Sequence, residues 1–314
     1  MMKERVRMKI DEVLNLKFYK GTDEYSDGDV EERLLAAVKD NDDPEEILKN
    51  EDEWAFLYHL SPIRENLLEW YDFTGAIDSH EADSKVVSLL EIGSGCGALT
   101  GLFCRKTDRV VGIDLSKRRS TINAYKNKKY DNLEIYVGNF TDIEIDEKFD
   151  YVTLIGVLEY SCYYVGGEDP FGEMLRRAKE YLKPGGTLII AIENKYGMKY
   201  FAGAPEDHTG RAFDGITGYR GVDRVRTFSR KGIERLIKEN GFDSLDFYYP
   251  MPDYKLPGEV FKESRLPGPG SFTDSVVAFD RERYELFDEA AAFDEICREG
   301  QFPFFANSFL IFCR

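Results

Sequence analysis

The stretch "LLEIGSGCGALTG", Leu89 to Gly101, ends an apolar run in alternating glycines. Glycines let a backbone turn tightly and approach a ligand, and a helix that follows offers it unpaired N–H groups. Read from Gly93, Gly95 and Ala98, the spacing fits the relaxed G-x-G-x-x-G/A fingerprint of nicotinamide and flavin pockets. Farther along stand three side chains able to move a proton: Glu159 in "GVLEYSCYY", Glu193 closing "TLIIAIE", and His208 in "GAPEDHTG". An imidazole titrates near neutrality, and a carboxylate beyond a strand can act as a general base. Plainer readings stand beside these: an exposed loop histidine, an incidental carboxylate, and a carboxylate that caps its loop.

Such residues need a scaffold to aim them. From Lys85 onward strand and helix patterns alternate, which predicts a parallel sheet with helices on both faces. The expected strands are "VVSLLEI", "RVVGID", "LEIYVG", "DYVTLIG", "TLIIAIE", "LDFYYP" and, last, "SFLIFCR". Ser116 is expected to cap "KRRSTINAYKNK", and Ser229 with Gly241 to bracket "RKGIERLIKEN". In an open parallel sheet, ligands bind beyond the carboxyl ends of the strands, where the winding reverses. Asp114 stands there, able to accept hydrogen bonds from both ribose hydroxyls. So does "GNFTD", in which Asn139 can read an adenine edge and Phe140 can stack on its face. A turn asparagine and a core phenylalanine are the alternatives for that pair.

Read from Glu91, the opening stretch is also E-x-G-x-G-x-G. Together with Asp114, "GNF" and especially "YLKPGGTLIIAIE", it gives the chain from about Leu57 to Arg314 a resemblance to the class I S-adenosylmethionine-dependent methyltransferases. The "LKPGG" turn, Leu182 to Gly186, is more characteristic of them than of nicotinamide enzymes, and it decides for the methyl donor. By that resemblance Glu91, Gly93 and Gly95 would shape the methionine and ribose side, Asp114 would hold the ribose, and Asn139 with Phe140 would hold adenine. Many members carry Asp where this chain has Asn139, and either side chain accepts a proton from the adenine amino group. A narrower likeness, in "AIENKYGMKYFAGAPEDHTG", is to a bacterial branch that accompanies surface-polysaccharide biosynthesis.

The resemblance implies an α/β fold: a doubly wound, mostly parallel, seven-stranded Rossmann-like sheet with S-adenosylmethionine as cofactor. Residues 1–84 are expected to form an N-terminal helical extension covering the pocket, and 85–314 the catalytic domain. Within the extension "DVEERLLAAVKD" sets Val30, Leu34, Leu35 and Val38 at helical spacing. Ser61 and Pro62 then open a second helix with Ile63, Leu67, Trp70 and Tyr71 on one face. A stretch of about 256–304 is expected to be an insertion before the last strand. Methyl transfer from a sulfonium is an in-line displacement, in which positioning supplies about 7–11 kcal/mol and a base about 3–5.5 kcal/mol. Two alternatives remain open: an NAD(P)-dependent oxidoreductase, and a non-catalytic donor-binding module, for which Asn139 is the hint.

The net charge of −17 disfavours nonspecific binding to nucleic acid or an anionic membrane. Cys96, Cys104, Cys162, Cys297 and Cys313 lack C-x-x-C spacing, which suggests reduced thiols and no zinc site. The first residues lack the apolar core of a signal peptide, so a cytoplasmic protein is expected. The loop 195–231 reverses the overall charge, with eight basic residues against four acidic ones, or +4 where the remainder is −21. Arg220, Arg224 and Arg226 within it suit an anionic small-molecule or saccharide acceptor, because guanidinium forks match phosphate and carboxylate oxygens. Arg230 and Lys231 are expected instead to pair with neighbouring carboxylates. Tyr160 and Asn194 follow strands and can orient substrate, as can Tyr254 in "YPMPDYKLP", after a strand expected to be parallel.

Overall fold

The computed structural model describes residues 9–23, 28–41, 43–74, 86–222, 224–273 and 283–314. The expected 84/85 boundary, Asp223 and the 274–282 part of the expected insertion lie outside the described residues. Strands form at β1 (Leu14–Asn15), β2 (Ser88–Ile92), β3 (Arg109–Asp114), β4 (Leu133–Val137), β5 (Phe149–Ile155), β6 (Leu182–Glu193), β7 (Leu245–Met251), β8 (Glu259–Lys262) and β9 (Ser308–Cys313). The chain divides into two compact units, Met1–Leu154 with Ala178–Leu188, and Ile155–Arg177 with Ile189–Arg314. The fold is mixed α/β and Rossmann-like, as expected, and all seven expected strands are present. Short β1 and β8 are additional.

In the first unit the strand order is β1-β4-β3-β2-β5, and each recorded neighbour pair runs parallel. Every residue of β2 is buried, as expected of a parallel strand covered on both faces. Register sets Glu91 opposite Gly112 on one side and Thr153 on the other, and Asp114 opposite Val137. Ser116 caps the helix Lys117–Lys126 by accepting from the Arg119 N–H at 3.2 Å. β1 is too short to leave a pattern in the sequence. It is held by pairing Leu14 with Ile135 and Asn15 with Tyr136.

The N-terminal segment is part of this unit. Helix Asp29–Asp40 buries Leu34 and Val38 against Ile47, Phe56, Leu60, Cys96 and Ile122. The expected second helix is corrected. Ser61 does cap it, accepting from the Ile63 N–H at 3.3 Å, but it is a six-residue 3-10 segment, Pro62–Leu67. Ile63 and Trp70 are each 44% exposed while Leu67 is fully buried, so they do not share a buried face. A 3-10 turn eclipses side chains every three residues, which breaks the spacing that an α-helix would have aligned. Tyr71 does reach the sheet, edge-on to Phe73 and Tyr151.

In the second unit, which holds β6 from Ile189 onward, the order is β6-β9-β7-β8. The expected parallel strand β7 has antiparallel neighbours in both β8 and β9. Ser229 caps helix Arg230–Glu239 by accepting from the Gly232 N–H, and Gly241 follows it at φ +90°. β6 begins at Leu182, inside the "LKPGG" turn, rather than at Thr187. The described part of the expected insertion carries β8 and helices Glu289–Arg298 and Phe302–Phe305. It has its own aromatic core, with Phe272 packed on Phe261, Phe293 and Phe302.

Candidate functional site

The glycine turn of the first unit is built by its own backbone. Gly93 and Ser94 both donate to the Ile113 carbonyl, at 2.8 and 3.0 Å, which folds the turn back over the end of β3. Gly97 sits at φ +76°, where an added Cβ would lie 2.3 Å from Asn123 Oδ1. No other residue fits there without displacing that amide. Asp114, at the end of β3, accepts from the Gly95 N–H at 2.8 Å and from the Ser116 N–H at 2.9 Å. A carboxylate has about four lone-pair sites, so these two bonds fix its orientation and leave room for two hydroxyl donors. Burial, eased by Arg119 and these two N–H groups, holds its pKa above the ordinary value.

Glu91 is buried beneath the turn, and its Oε2 accepts from Thr100 Oγ at 2.5 Å. Burial pushes its pKa up to about 8, against the opposing pull of the Thr100 hydroxyl and the Lys126 ammonium. Asn139 turns inward on its own loop, accepting from the Thr141 N–H at 3.1 Å. Phe140 is 6% exposed and tilted against Tyr181 at 5.8 Å, the place of a core phenylalanine. One contributor was not legible in the sequence. Asp23, from the N-terminal extension, accepts from Lys117 N–H, Arg118 N–H and Ser116 Oγ at 2.7, 3.1 and 3.2 Å. It thereby serves the positive end of the helix that starts beyond Asp114.

In the second unit Glu159, Glu193 and His208 come together, with one ligand-type atom from each lying within 4.8 Å of the others. Three separated segments supply them. Glu159 stands in the turn after β5, Glu193 ends β6, and His208 is carried by the following loop. His208 is not the exposed loop histidine of the plainer reading, since its side chain is 4% exposed. Its Nδ1 lies 2.9 Å from Glu206 Oε1, while Glu206 Oε2 accepts from the His208 and Thr209 N–H groups at 2.8 and 2.7 Å. Tyr219 donates to the same Glu206 Oε1 at 3.0 Å. Nε2 lies 3.8 Å from Glu159 Oε1 and 3.9 Å from Glu193 Oε2. Burial alone would lower the His208 pKa, but Glu193, Glu159 and Glu206 together hold it well above the usual histidine value. Burial likewise raises Glu159.

Lysines bind this knot from behind. Lys255 Nζ reaches Glu193 Oε1 at 3.0 Å and Asp207 at 2.5 Å, and Lys199 Nζ reaches Asp207 and Asp253 at 3.0 and 3.3 Å. Tyr200 donates to Asp207 as well. Lys199, Glu206 and Asp207 were missed by sequence reasoning. The only signal was that "APEDHTG" packs acidic residues beside the histidine. Tyr219 adopts φ +56°, rare for a residue with a Cβ, and this turns its hydroxyl onto Glu206 and Thr227.

The remaining candidates scatter. Tyr160 lies edge-on to the His208 ring at 5.1 Å. Asn194 is corrected: its amide donates to the Phe304 and Ala306 carbonyls and its Oδ1 accepts from Tyr196 N–H, so its polar atoms pin backbone. Tyr254 is buried, with its hydroxyl against Gly156. Arg220, Arg224 and Arg226 are exposed, and none makes an ion pair with a described residue. Arg224 lies over the Tyr163 ring at 5.8 Å, and Arg226 lines a cleft of about 420 Å³ with Lys195, Tyr219, Ser229 and Arg235. Arg230 pairs with Glu234 at 2.7 Å, as expected.

Residues 90–188 match the methyltransferase-domain family. A ubiquinone biosynthesis O-methyltransferase of Pelagibacter ubique is 30% identical over 150 residues, 46% of this chain and 58% of that protein. A mitochondrial ubiquinone biosynthesis O-methyltransferase of Dictyostelium discoideum is 28% identical over 129 residues, 37% of this chain and 38% of that protein. The chain thus spans about half the length of the curated relatives it matches. Among solved structures, a methyltransferase of Thermotoga maritima described as a possible histamine N-methyltransferase aligns with 86% of this chain and 97% of its own, at TM-score 0.45 and 16% identity. The matched region carries a methyltransferase domain of the class I, S-adenosylmethionine-dependent kind, and S-adenosylmethionine is the cofactor these matches support. No described helix is long and apolar enough to cross a membrane.

Proposed function

We propose that the protein transfers the methyl group of S-adenosylmethionine to an oxygen of a small-molecule acceptor. The observation that carries this reading is the Gly93–Gly97 turn locked over Asp114, inside the segment that matches the methyltransferase-domain family. Asp114 would take the ribose hydroxyls, Gly93 and Gly95 would let the donor approach, and Asn139 with Phe140 would border the adenine. Glu91, kept neutral by burial, would shape the turn from beneath. The N-terminal extension belongs to the working pocket in this reading, because Asp23 reaches the helix that follows Asp114.

The acceptor side rests on the Glu159, Glu193 and His208 group, which offers a proton-handling site for a hydroxyl nucleophile. Transfer to oxygen agrees with the printed names of the curated relatives, which are O-methyltransferases. An anionic acceptor, such as a phosphorylated or uronic-acid saccharide, is supported by Arg220 and Arg226, whose guanidinium groups have no ionic partner among the described residues. The oxidoreductase alternative has no comparable support. The test has two arms: calorimetric titration with S-adenosylhomocysteine and with NAD(P)H, and mass spectrometry of metabolite and envelope extracts incubated with protein and deuteriomethyl donor. Binding of the first ligand alone, with a deuteriomethylated oxygen in a product, is the expected result. Nicotinamide binding, or no labelled product from any extract, would overturn the reading.

A further inference from the structure

The imidazole of His208 is held in an arrangement that hydrogen bonding alone does not explain. Glu206 already accepts from two backbone N–H groups and from the Tyr219 hydroxyl, so both of its oxygens act as acceptors. At 2.9 Å from that carboxylate, Nδ1 must carry the proton and donate it. Nε2 then faces Glu159 and Glu193 at 3.8 and 3.9 Å, distances too long for hydrogen bonds. Both carboxylates are buried to 1% exposure or less. Glu159 Oε2 and Glu193 Oε2 lack a hydrogen-bond partner, and Glu193 Oε1 is met by the Lys255 ammonium at 3.0 Å. Lys255 meets Glu193 from one side only, and it is shared with Asp207.

The charges in contact do not balance either. Among the described residues the recorded ion pairs set Glu159, Glu193, Glu206, Asp207 and Asp253 against Lys199, Lys255 and the His208 imidazole, five acids to three basic groups. Buried carboxylates without compensating charge are strongly disfavoured, so a further cation is called for at their common focus. A carboxylate that fixes the far nitrogen of a histidine, leaving the near one to bind, is the usual support of a metal ligand. Nε2 stands 3.8 and 3.9 Å from the two carboxylate oxygens, less than twice a metal–ligand bond of about 2.1 Å, so one ion can touch the imidazole and either carboxylate.

We propose that Glu159, Glu193 and His208 Nε2 bind a divalent first-row cation of the Mn²⁺ or Zn²⁺ kind, oriented by Glu206. One imidazole with two carboxylates is a donor set for such ions rather than for Ca²⁺ or Mg²⁺, which prefer all-oxygen sites. Three protein ligands leave coordination positions open, and an oxygen-bearing acceptor fits one of them. Metal binding stands on the cluster alone, whereas the acceptor's place on the ion rests on the methyl-transfer reading.

The test strips the full-length protein with a chelator and titrates it with MnCl₂ at pH 7.5. Free Mn²⁺ is followed by electron paramagnetic resonance, with ZnCl₂ as competitor and circular dichroism confirming the fold. Saturable one-to-one binding is expected, weakened more than about 100-fold in Glu193→Gln and Glu159→Gln. In Glu206→Gln the loss should be about 10- to 100-fold. The exposed control Glu259→Gln should bind as wild type. Wild-type protein that takes up neither ion would overturn the site, which would then hold an imidazolium as its cation. Equal binding by the variants would overturn it too. S-adenosylhomocysteine titrated into the same samples separates this failure from failure of the methyl-transfer reading.

Discussion

Glu91 in the first unit and Asp207 in the second are both buried carboxylates, and their surroundings drive them in opposite directions. Burial pushes Glu91 up to about 8, since a threonine hydroxyl and a distant ammonium do not offset the lost hydration. Burial works on Asp207 as well, yet Lys199 and Lys255 in direct contact hold it well below the ordinary aspartate value. The first region manages a buried acid by neutralising it inside a hydrogen-bonded turn. The second keeps Asp207 charged by setting the Lys199 and Lys255 ammonium groups against it. A turn of the first kind is local and tolerant. A knot of the second kind fails when one member is removed.

That contrast predicts a large effect of pH on the first region. Between about pH 4.5 and 8 folded Glu91 keeps a proton that the unfolded chain releases, so its contribution to stability is full below that window and is lost as pH rises. One released proton corresponds to about 1.4 kcal/mol per pH unit. Urea titrations from pH 5 to 8 should show this slope in the wild type and a flatter one in Glu91→Gln. Equal slopes would mean that Glu91 is ionised in the folded chain and that the contrast is false.

In the second region the sharpest break is Lys255→Met, which leaves Glu193 and Asp207 short of a cation and should cost about 3–5 kcal/mol of stability by denaturant unfolding. Adding Asp207→Asn should recover part of that loss, because the two groups belong to one network. Strict additivity would show that they act separately. Smaller again is Asp114→Ala, expected to weaken S-adenosylhomocysteine binding by about 1.5–3 kcal/mol in calorimetry. Some of its effect should appear as lost stability, because the carboxylate also holds the Gly95 and Ser116 N–H groups. The smallest stability change belongs to Arg226→Ala, within about 0.5 kcal/mol for an exposed side chain. If the acceptor is anionic, the same variant should raise its KM and reduce the salt dependence of binding, with donor affinity unchanged.

The glycine turn was legible because its information is contiguous. Gly93, Gly95 and Gly97 lie within a few residues of Glu91, and the next strand ends at Asp114 by the alternation of strand and helix alone. Phe140 shows the limit of that reasoning: the same position suits an adenine stack or a core contact, and packing on Tyr181 is visible only in three dimensions. The N-terminal extension was misjudged at Pro62–Leu67, where an apolar spacing that suits an α-helix folds as a 3-10 turn. Loop 195–231 stands out by its length and charge, and its arginines at 220, 224 and 226 are exposed.

By itself the sequence determined the seven longer strands, the glycine turn, the caps at Ser116 and Ser229, and Glu159, Glu193 and His208 as separate candidates. These follow from residue type and near-neighbour spacing, which act over one turn or one strand. Only the tertiary structure decided that the three candidates share one focus and that Glu206 fixes the imidazole. It also decided that Lys199 and Lys255 hold Asp207 charged, and that Asn194 spends its amide on the backbone of Phe304 and Ala306. The physical reason is range. Burial and pairing are set by groups that can lie more than a hundred residues apart in the chain, and no local pattern carries that pairing.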